Sequence, residues 1–318
     1  MSEVMKIIKP GLATSVQDLG RKGYQQYGVV VSGAMDDFAL QVANLLVGNL
    51  RGEAGLEIAL IGPEISMVED TVIAVCGANL SPKLDGESIS NWKSYVVEKG
   101  QILTFGKPKN GGYAYVAVAG GVKTPEVMGS KSTYVKTEMG GYKGRYLEKG
   151  DCVEAGTAAY ELKRLAGRSI KLTNEMDYHA HNRIRIVLGP DSQGFSEESI
   201  QHFLTSAYQV TPQSDRMGYR LDGPALEGKA DIISDAVLPG TIQVPADGKP
   251  IVLLADRQTT GGYARIASVI SVDLPYVAQQ RAGNELRFVE VSVKEAQQLY
   301  VQRELLLKRL NLGAGRIK

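Results

Sequence analysis

Three short parts of this 318-residue chain combine Asp and Arg with uncharged polar residues and glycine. They are 14–23 (TSVQDLGRKG) with 31–36 (VSGAMD), 211–220 (TPQSDRMGYR) and 255–263 (ADRQTTGGY). Amide and hydroxyl groups beside glycine can hold a small polar amide or carboxylate, because they offer donors and acceptors where the backbone can approach a ligand. Asp and Arg in one short turn can equally pair with each other, so the sequence leaves both roles open.

Other common chemistries have weaker sequence support. Gly129-Ser-Lys-Ser132 resembles the end of a phosphate-binding loop, but its Gly and Lys are not adjacent and no glycine stands five residues earlier. The glycines of 140–144 do not connect a strand to a helix in a βαβ unit, so both segments are predicted to be turns. His179 and His181 lack a further ligand at zinc-like spacing, and Cys76 ends an apolar strand, which favours a place in the core.

Composition narrows the class of protein. At about 150 residues per domain, the length fits two domains. Hydrophobic residues make up 43% and charged residues 22%, which is typical of globular proteins, and a net charge of +1 disfavours nucleic acid as a partner. With two cysteines, no apolar leader and no apolar run of about 20 residues, the sequence predicts a cytoplasmic protein with reduced thiols and no membrane association.

Apolar periodicity predicts a mainly β fold. Glycine (36 residues) and proline (12) are scattered along the chain, which indicates frequent turns. Short apolar runs between turn residues are typical of β-sandwiches and barrels. The clearest runs are 71–76, 113–119, 184–188, 251–255 and 264–270.

Three segments have helical patterns. Residues 36–47 form an apolar stripe that stops at Gly48, and Ser196 is placed to cap a helix over 197–204. Ser292-Val-Lys-Glu295 has the spacing of a capping box, which predicts a C-terminal helix through Leu310. Residues 311–318 have no apolar periodicity, and we expect them to be loosely ordered.

Weak internal repeats suggest two similar β-domains. The sequence GGYA at 111–114 recurs at 261–264, and two more pairs of similar segments keep the same order, 6–11 with 185–190 and 32–35 with 214–217. The predicted domains are 1–175 and 176–318, the second carrying the C-terminal helix.

At its polar segments the sequence resembles a known family. The motifs are TSVQDLGRKGY at 14–24, GVVVSGAMDDFALQVANLLVGN at 28–49, YVAVAGG at 115–121, PQSDRMGYRLDGP at 212–224, GTIQVPADGKPIVLLADRQTTGGY at 240–263 and DLPYVAQQRAGNELRF at 273–288. They resemble the allophanate hydrolase subunit 2 family of biotin-dependent carboxyltransferase-like proteins, within it the group of C-type 5-oxoprolinase subunits, also described as KipI antagonists. The resemblance implies two cyclophilin-like β-barrel domains.

The resemblance also implies a function. Members of the group work with an A-type subunit and a KipI-like B-type subunit to hydrolyse the lactam of 5-oxoproline to L-glutamate, with ATP and Mg²⁺ bound by the assembled complex. One alternative is a regulatory protein that binds and antagonises a KipI-like histidine-kinase inhibitor. A further alternative is the carboxyltransferase part of a biotin-dependent urea carboxylase system. This chain has no Met-Lys-Met biotin attachment sequence, since Met5-Lys6-Ile7 is only a partial match within the first predicted strand.

Under this resemblance we expect the turn 213–216 and the loop 256–263 to converge on one pocket, with 18–21 and 32–36 nearby or at the interface with the KipI-like B-type subunit. The expected substrate-binding residues are Gln213, Gln243, Gln258, Thr259, Thr260, Gly261, Gly262, Tyr263, Ser32 and Asp36. The expected catalytic residues are Asp215, Arg216 and Asp256. Either Asp is a candidate general base or an Arg-paired structural group, while Arg216 or Arg257 would offset charge that develops on oxygen or phosphoryl.

Overall fold

The computed structural model describes residues 2–170, 178, 182–228 and 231–313. These residues divide into two compact units. Unit 1 contains 2–22, 32–170 and 306–313, and unit 2 contains 23–31, 178, 182–228 and 231–305. The predicted domain boundary at 175/176 lies outside the described residues. The division also assigns 23–31 to unit 2 and 306–313 to unit 1, which a single cut along the chain does not do.

Unit 1 is built from two antiparallel sheets. Its strands are β1 (Ser2–Lys9), β2 (Ala13–Gln17), β3 (Gly55–Ala59), β4 (Glu64–Met67), β5 (Thr71–Asn79), β6 (Lys83–Leu84), β7 (Glu87–Ser88), β8 (Lys93–Val97), β9 (Ile102–Thr104), β10 (Asn110–Val118), β11 (Val122–Lys123) and β12 (Cys152–Ala155). One sheet has the order β11-β12-β1-β4-β9-β6-β7, and the other has the order β2-β3-β10-β5-β8. Their apolar side chains form one core, which includes Met5, Ile7, Val16, Leu56, Ile65 and Val116.

Helix α1 (Asp37–Leu46) packs against β5 and β10 of unit 1. It begins at Asp36, whose carboxylate accepts a hydrogen bond from the Ala39 amide at 2.8 Å. Every residue from Phe38 to Leu46 is buried, which explains why its sequence is so apolar. Gly48 follows with φ of 76°, a conformation that glycine adopts without a Cβ penalty, so the helix ends where the sequence predicts.

Unit 2 contains a closed β-barrel. Its strands are β13 (Arg183–Leu188), β14 (Tyr208–Val210), β15 (Gly218–Asp222), β16 (Asp231–Ala236), β17 (Thr241–Val244), β18 (Ile251–Leu253), β19 (Thr260–Val269) and β20 (Glu285–Glu290). The order β13-β20-β14-β15-β18-β17-β19 returns to β13 through the pairing of β13 with β19. The strand β16 lies outside this ring and pairs only with the first part of β19 among the described strands.

The remaining helices are α2 (Leu162–Leu165), α3 (Glu197–Thr205), α4 (Leu274–Ala278) and α5 (Val293–Gly313). Ser196 caps α3 by accepting from the Ser199 amide at 3.1 Å, and Ser292 accepts from the Glu295 amide at 3.1 Å at the start of α5. Both caps confirm the sequence prediction. The helix α5 continues to Gly313, so 311–313 are helical rather than loosely ordered, and the rest of the predicted tail lies outside the described residues.

The structure confirms the mainly β prediction. All five predicted apolar runs correspond to strands, namely β5, β10, β13, β18 and β19, although the runs 113–119, 251–255 and 264–270 extend one or two residues past their strands. Among the described strands, only β13 and β20 pair in parallel, so unit 2 is not a parallel Rossmann sheet. In the described part of the chain, no helix is both long enough and apolar enough to cross a bilayer.

Candidate functional site

An ion pair joins the two polar segments of unit 2. Because β15 and β18 are antiparallel and Gly218 pairs with Leu253, the turn before β15 lies beside the loop after β18. Arg216 in that turn donates from Nε to Asp256 Oδ2 at 2.8 Å and from Nη2 to Asp256 Oδ1 at 3.1 Å. The Asp256 amide also donates to the Arg216 carbonyl at 2.8 Å. The structure thus brings together two of the three expected catalytic residues, as a two-point pair whose side chains are 11% and 9% exposed.

Asp215, the third expected catalytic residue, is an exposed carboxylate next to this pair in sequence. Its Oδ1 accepts hydrogen bonds from the Met217 amide at 2.8 Å and the Gly218 amide at 3.4 Å. Among the described residues, no donor and no cationic side chain contacts Oδ2. Asp215 therefore keeps one carboxylate oxygen available, whereas both oxygens of Asp256 contact Arg216.

The buried carboxamide of Gln243 organises the loop after Asp256. Gln243 lies on β17 and is 1% exposed. Its Nε2 donates to the Tyr263 carbonyl at 3.0 Å, and its Oε1 accepts from Gln258 Nε2 at 3.3 Å. Gly261 packs directly against this carboxamide. Two of the expected substrate-binding residues, Gln258 and Gly261, therefore lie against a third, Gln243.

The remaining expected residues of this loop lie closer to solvent. The Thr259 carbonyl accepts from the Val237 amide at 3.1 Å, while Thr260 is exposed and Tyr263 is 43% exposed. Gly262 lies between them on β19, in the part of that strand that pairs with β16. The loop is thus buried at its first residue, Asp256, and reaches solvent at Thr260 and Tyr263.

Gln213 lies at a cleft of about 450 Å³ in unit 2. The cleft is lined by Gln209, Thr211, Pro212, Gln213, Arg220, Leu221, Asp222, Asp247, Lys249, Pro250 and Ile251. The buried Thr211 hydroxyl has no hydrogen-bond partner among the described residues. None of residues 256–263 lines the cleft, so the convergence of Gln213 and that loop on one pocket stays a prediction.

Arg257 is the most deeply buried cation of the loop, at 3% exposed. Its Nε donates to the Val237 carbonyl at 3.2 Å and its Nη1 to the Leu254 carbonyl at 3.4 Å. Burial lowers the pKa of Arg257 to about 10. In the described ranges no carboxylate pairs with it, in contrast to Arg216.

In unit 1, residues 14–18 and Arg21 are buried, while Lys22 is exposed, and Asp18 and Arg21 belong to a buried hydrogen-bond network. The Asp18 carboxylate accepts from Ser130 Oγ at 2.7 Å, from the Lys131 amide at 2.6 Å and from Ser132 Oγ. Arg21, which is 0% exposed, donates to the Ser132 carbonyl. Asp18 and Arg21 thus make hydrogen bonds inside unit 1, and a place of 18–21 near the pocket or at the interface with a companion subunit stays a prediction. Gly129 lies in a turn that the pairing of Val127 with Ser130 closes, as predicted for the start of the 129–132 segment.

Ser32 and Asp36 also serve the interior of unit 1. Ser32 has a φ of 56°, is 5% exposed and donates to the Thr133 carbonyl at 2.9 Å. Asp36 is 0% exposed and caps α1, while its amide donates to the Tyr115 hydroxyl at 2.7 Å. The structure thus shows packing roles for both residues, and their substrate contacts remain predictions.

Sequence reasoning missed the buried pair of Tyr115 and Glu57. The Tyr115 hydroxyl donates to Glu57 Oε2 at 2.7 Å, and the Met35 amide donates to the same oxygen at 2.8 Å. Burial raises the pKa of Tyr115, and the carboxylates of Glu57 and Asp36 raise it further. The available signal was Glu57 itself, a charged residue in the otherwise apolar run of β3.

The prediction that the histidine pair is not a metal site falls on His179 and His181, which lie outside the described residues. Over the ranges that the structure covers, no three side chains of His, Cys, Asp or Glu come together as metal ligands.

Comparisons with known proteins identify the family. The carboxyltransferase domain family, subdomain A and B, matches residues 27–290, and the chain belongs to this family. The chain is 40% identical to the C-type subunit of 5-oxoprolinase from Escherichia coli, over 92% of this chain and 93% of that protein. It is 35% identical to the corresponding 5-oxoprolinase subunit of Haemophilus influenzae, over 93% and 94% of the two chains. These matches confirm the resemblance seen in the motifs.

A solved structure supports the fold. The crystal structure of the Kluyveromyces lactis urea amidolyase superposes with a TM-score of 0.87 at 30% identity, over 98% of this chain. The chain spans only 20% of that enzyme's length. The similarity therefore supports the architecture of this chain but does not transfer the activity of the whole urea amidolyase.

Proposed function

We propose that this chain is one component of an ATP-dependent 5-oxoprolinase complex that hydrolyses the lactam of 5-oxoproline to L-glutamate. The observation that carries the proposal is the similarity to the C-type 5-oxoprolinase subunit of Escherichia coli along nearly the full length of both chains. Similarity to a relative over only one shared domain would be much weaker support for a role in this complex.

The chemistry explains why such a complex would use ATP and a polar site. A lactam amide is stabilised by resonance, so its carbonyl carbon is a poor electrophile. Phosphorylation of the lactam oxygen would make that carbon electrophilic. ADP would leave as the γ-phosphoryl group of ATP is transferred to that oxygen. Water would then add to the carbon, the C–N bond would break with a proton taken up by the nitrogen, and a second water would release inorganic phosphate from the resulting acyl phosphate. Donors placed at the developing charge would lower the barrier.

Unit 2 offers side chains for these steps. Asp215 is the better candidate for the general base, because one of its oxygens is available, while Asp256 is held by Arg216 at both oxygens. The pair of Arg216 and Asp256 would position the turn and the loop relative to each other. Gln213, Thr259 and Thr260 would supply neutral hydrogen-bonding groups for the lactam.

The companion subunits are part of the proposal. The A-type subunit and the KipI-like B-type subunit would complete the enzyme, and the assembled complex would bind ATP with Mg²⁺. The Gly129–Ser132 segment does not offer a phosphate cradle in this chain, because the Ser130 and Ser132 hydroxyls and the Lys131 amide all contact Asp18.

Carboxyl transfer is a second candidate, favoured by the family assignment and the urea amidolyase structure. This chain lacks a biotin attachment sequence, so carboxyl transfer would need a separate biotin carrier. A strict requirement for biotinylated carrier protein in lactam hydrolysis would favour this candidate over direct ATP-driven hydrolysis.

Two substitutions test the proposed site in the assembled complex. Gln213 and Thr260 are exposed, so Gln213→Ala and Thr260→Val should lower ATP-dependent glutamate release with little change in melting temperature. Gln201→Ala, at an exposed position on α3, is the matched surface control and should retain full turnover. Normal turnover in both test variants would place the site elsewhere.

A further inference from the structure

Arg257 is a buried cation whose charge is not balanced by the described part of unit 2. It is 3% exposed, and its two hydrogen bonds go to the main-chain carbonyls of Val237 and Leu254, at 3.2 and 3.4 Å. Neutral carbonyls leave the full positive charge in place. A buried charge without an opposite charge is costly, and proteins normally pair it.

The neighbouring Arg216 shows the ordinary solution. Its side chain is 11% exposed, and its two hydrogen bonds to Asp256 end on a carboxylate. Arg257 follows Asp256 directly in sequence, yet that carboxylate is directed to Arg216 instead. The contrast indicates that the chain keeps Arg257 available for an acidic group that does not belong to unit 2.

The unused edge of the Arg257 guanidinium has a definite shape. A guanidinium carries five N–H groups in one plane. One on Nε and one on Nη1 serve the carbonyls of Val237 and Leu254, which leaves the second N–H of Nη1 and both N–H groups of Nη2. An N–H from each of these two nitrogens forms the fork that binds the two oxygens of a carboxylate.

The position in the loop is suitable for a small ligand. Gln258 follows Arg257 and contacts Gln243, and the loop then reaches solvent at the exposed Thr260. Arg257 is thus the buried first residue of 257–260, whose other polar side chains are amides and hydroxyls. A molecule with one carboxylate and one amide would match this pairing of a deep cation with shallower neutral groups.

We propose that Arg257 is a receptor for the carboxylate of a small ligand bound by unit 2. The identity of the ligand rests on the proposed function, under which the ligand is 5-oxoproline. Its carboxylate binds Arg257, while Gln258 and Thr259 face its lactam amide. Arg257 would then determine specificity for the acid over neutral lactams.

The first experiment compares an acid with its neutral analogue. Calorimetry on the assembled complex would give the Kd of 5-oxoproline and of 5-oxoprolinamide for the wild type, Arg257→Met and Arg257→Lys. Loss of a two-point charged contact should weaken binding of the acid by about tenfold to a hundredfold in Arg257→Met, with little change for the amide. Arg257→Lys keeps the charge without the fork and should lose part of the discrimination. Equal weakening of both ligands would overturn the assignment.

A second measurement on the full chain alone does not depend on 5-oxoprolinase activity. Sodium acetate should raise the melting temperature of the wild type more than sodium chloride at equal ionic strength, and this difference should vanish in Arg257→Met. Stabilisation by phosphate but not by acetate would contradict a carboxylate receptor. If acetate acts through Arg257 while the complex releases no glutamate, the proposed function fails but the receptor stands.

The melting temperature of the variants separates a receptor from a structural arginine. If Arg257 only holds the carbonyls of Val237 and Leu254, Arg257→Met should be clearly destabilised, and this result would count against the proposal. If Arg257 is instead kept for ligand binding at a cost in stability, Arg257→Met should have an unchanged or higher melting temperature than the wild type. Should Arg257→Met fail to fold, Arg257→Lys would still report on the discrimination between acid and amide.

Discussion

The carboxamide of Gln243 occupies the space that a side chain on Gly261 would need. A Cβ built on Gly261 would lie 2.5 Å from Gln243 Nε2 and 3.0 Å from its Oε1. Gln243 cannot simply swing away, because it is buried and donates to the Tyr263 carbonyl. Glycine is therefore required at position 261, the first of the GGY motif, because the buried Gln243 carboxamide lies so close to it.

Gly261→Ala should displace the Gln243 carboxamide and break its hydrogen bond to Tyr263. We expect a loss of about 1 kcal/mol in the free energy of unfolding, measured by urea denaturation. Gly262→Ala is the matched control, because its Cβ would lie 3.4 Å from Ser234 Oγ, an ordinary contact. Equal destabilisation by the two variants would contradict the steric explanation.

The ion pair of Arg216 and Asp256 should show strong coupling in a double-mutant cycle. Asp256→Asn or Arg216→Met removes the two-point charged contact, which should cost about 3 kcal/mol in the free energy of unfolding. The double variant should be much less destabilised than the sum of the two single variants. Additive losses in chemical denaturation would mean that the pair makes no net contribution.

Tyr208 carries a buried hydroxyl that has no hydrogen-bond partner in the described ranges. Its ring packs with Phe203 and Phe288, and burial raises its pKa to about 12. Tyr208→Phe should therefore raise the stability by about 1 kcal/mol. The Tyr219 hydroxyl, in contrast, donates to the Ala278 carbonyl at 2.7 Å. The control variant Tyr219→Phe loses this hydrogen bond and should therefore have a lower melting temperature. A destabilised Tyr208→Phe variant would show that the hydroxyl is satisfied.

Asp151 should contribute an acid-sensitive part of the stability. Hydrogen bonds from Arg145, at 2.7 and 3.0 Å, hold the pKa of Asp151 below the ordinary carboxyl value of 3.8. A lowered folded-state pKa stabilises the protein above the unfolded-state value, and this contribution is lost as the pH falls through the folded-state value.

The melting temperature of the wild type should therefore fall more steeply than that of Asp151→Asn as the pH drops below about 4. Glu154→Gln, an exposed carboxyl three residues later, should keep the slope of the wild type. Parallel curves for the wild type and Asp151→Asn would contradict the role given to Arg145.

Local patterns were sufficient to predict much of the fold. The apolar runs of β5, β10, β13, β18 and β19 and the helix caps at Ser196 and Ser292 depend on neighbouring residues, so the sequence reveals them. Closure of the barrel depends on the pairing of Ile186 with Val269, which no local pattern encodes. The helices α2 and α4 have four and five residues, too few for a clear apolar period.

The candidate site was harder to predict because it too depends on residues that are far apart in the sequence. The motif around Asp18 and Arg21 has the polar composition of a ligand site, yet its partners are at 130–132, far along the chain. The sequence suggested an Arg-paired Asp256 with its partner in the same short turn, whereas the register of β15 with β18 brings Arg216 to it from another segment. Polar residues alone do not reveal whether they face a ligand or one another.

The most direct test of the central claim is reconstitution with the A-type and B-type companion proteins. With 5-oxoproline, ATP and Mg²⁺, we expect glutamate and ADP to appear in equal amounts when all three chains are present, and neither product above background when this chain is left out. Full glutamate release without this chain, or none with it, would contradict its assignment as a component of a 5-oxoprolinase.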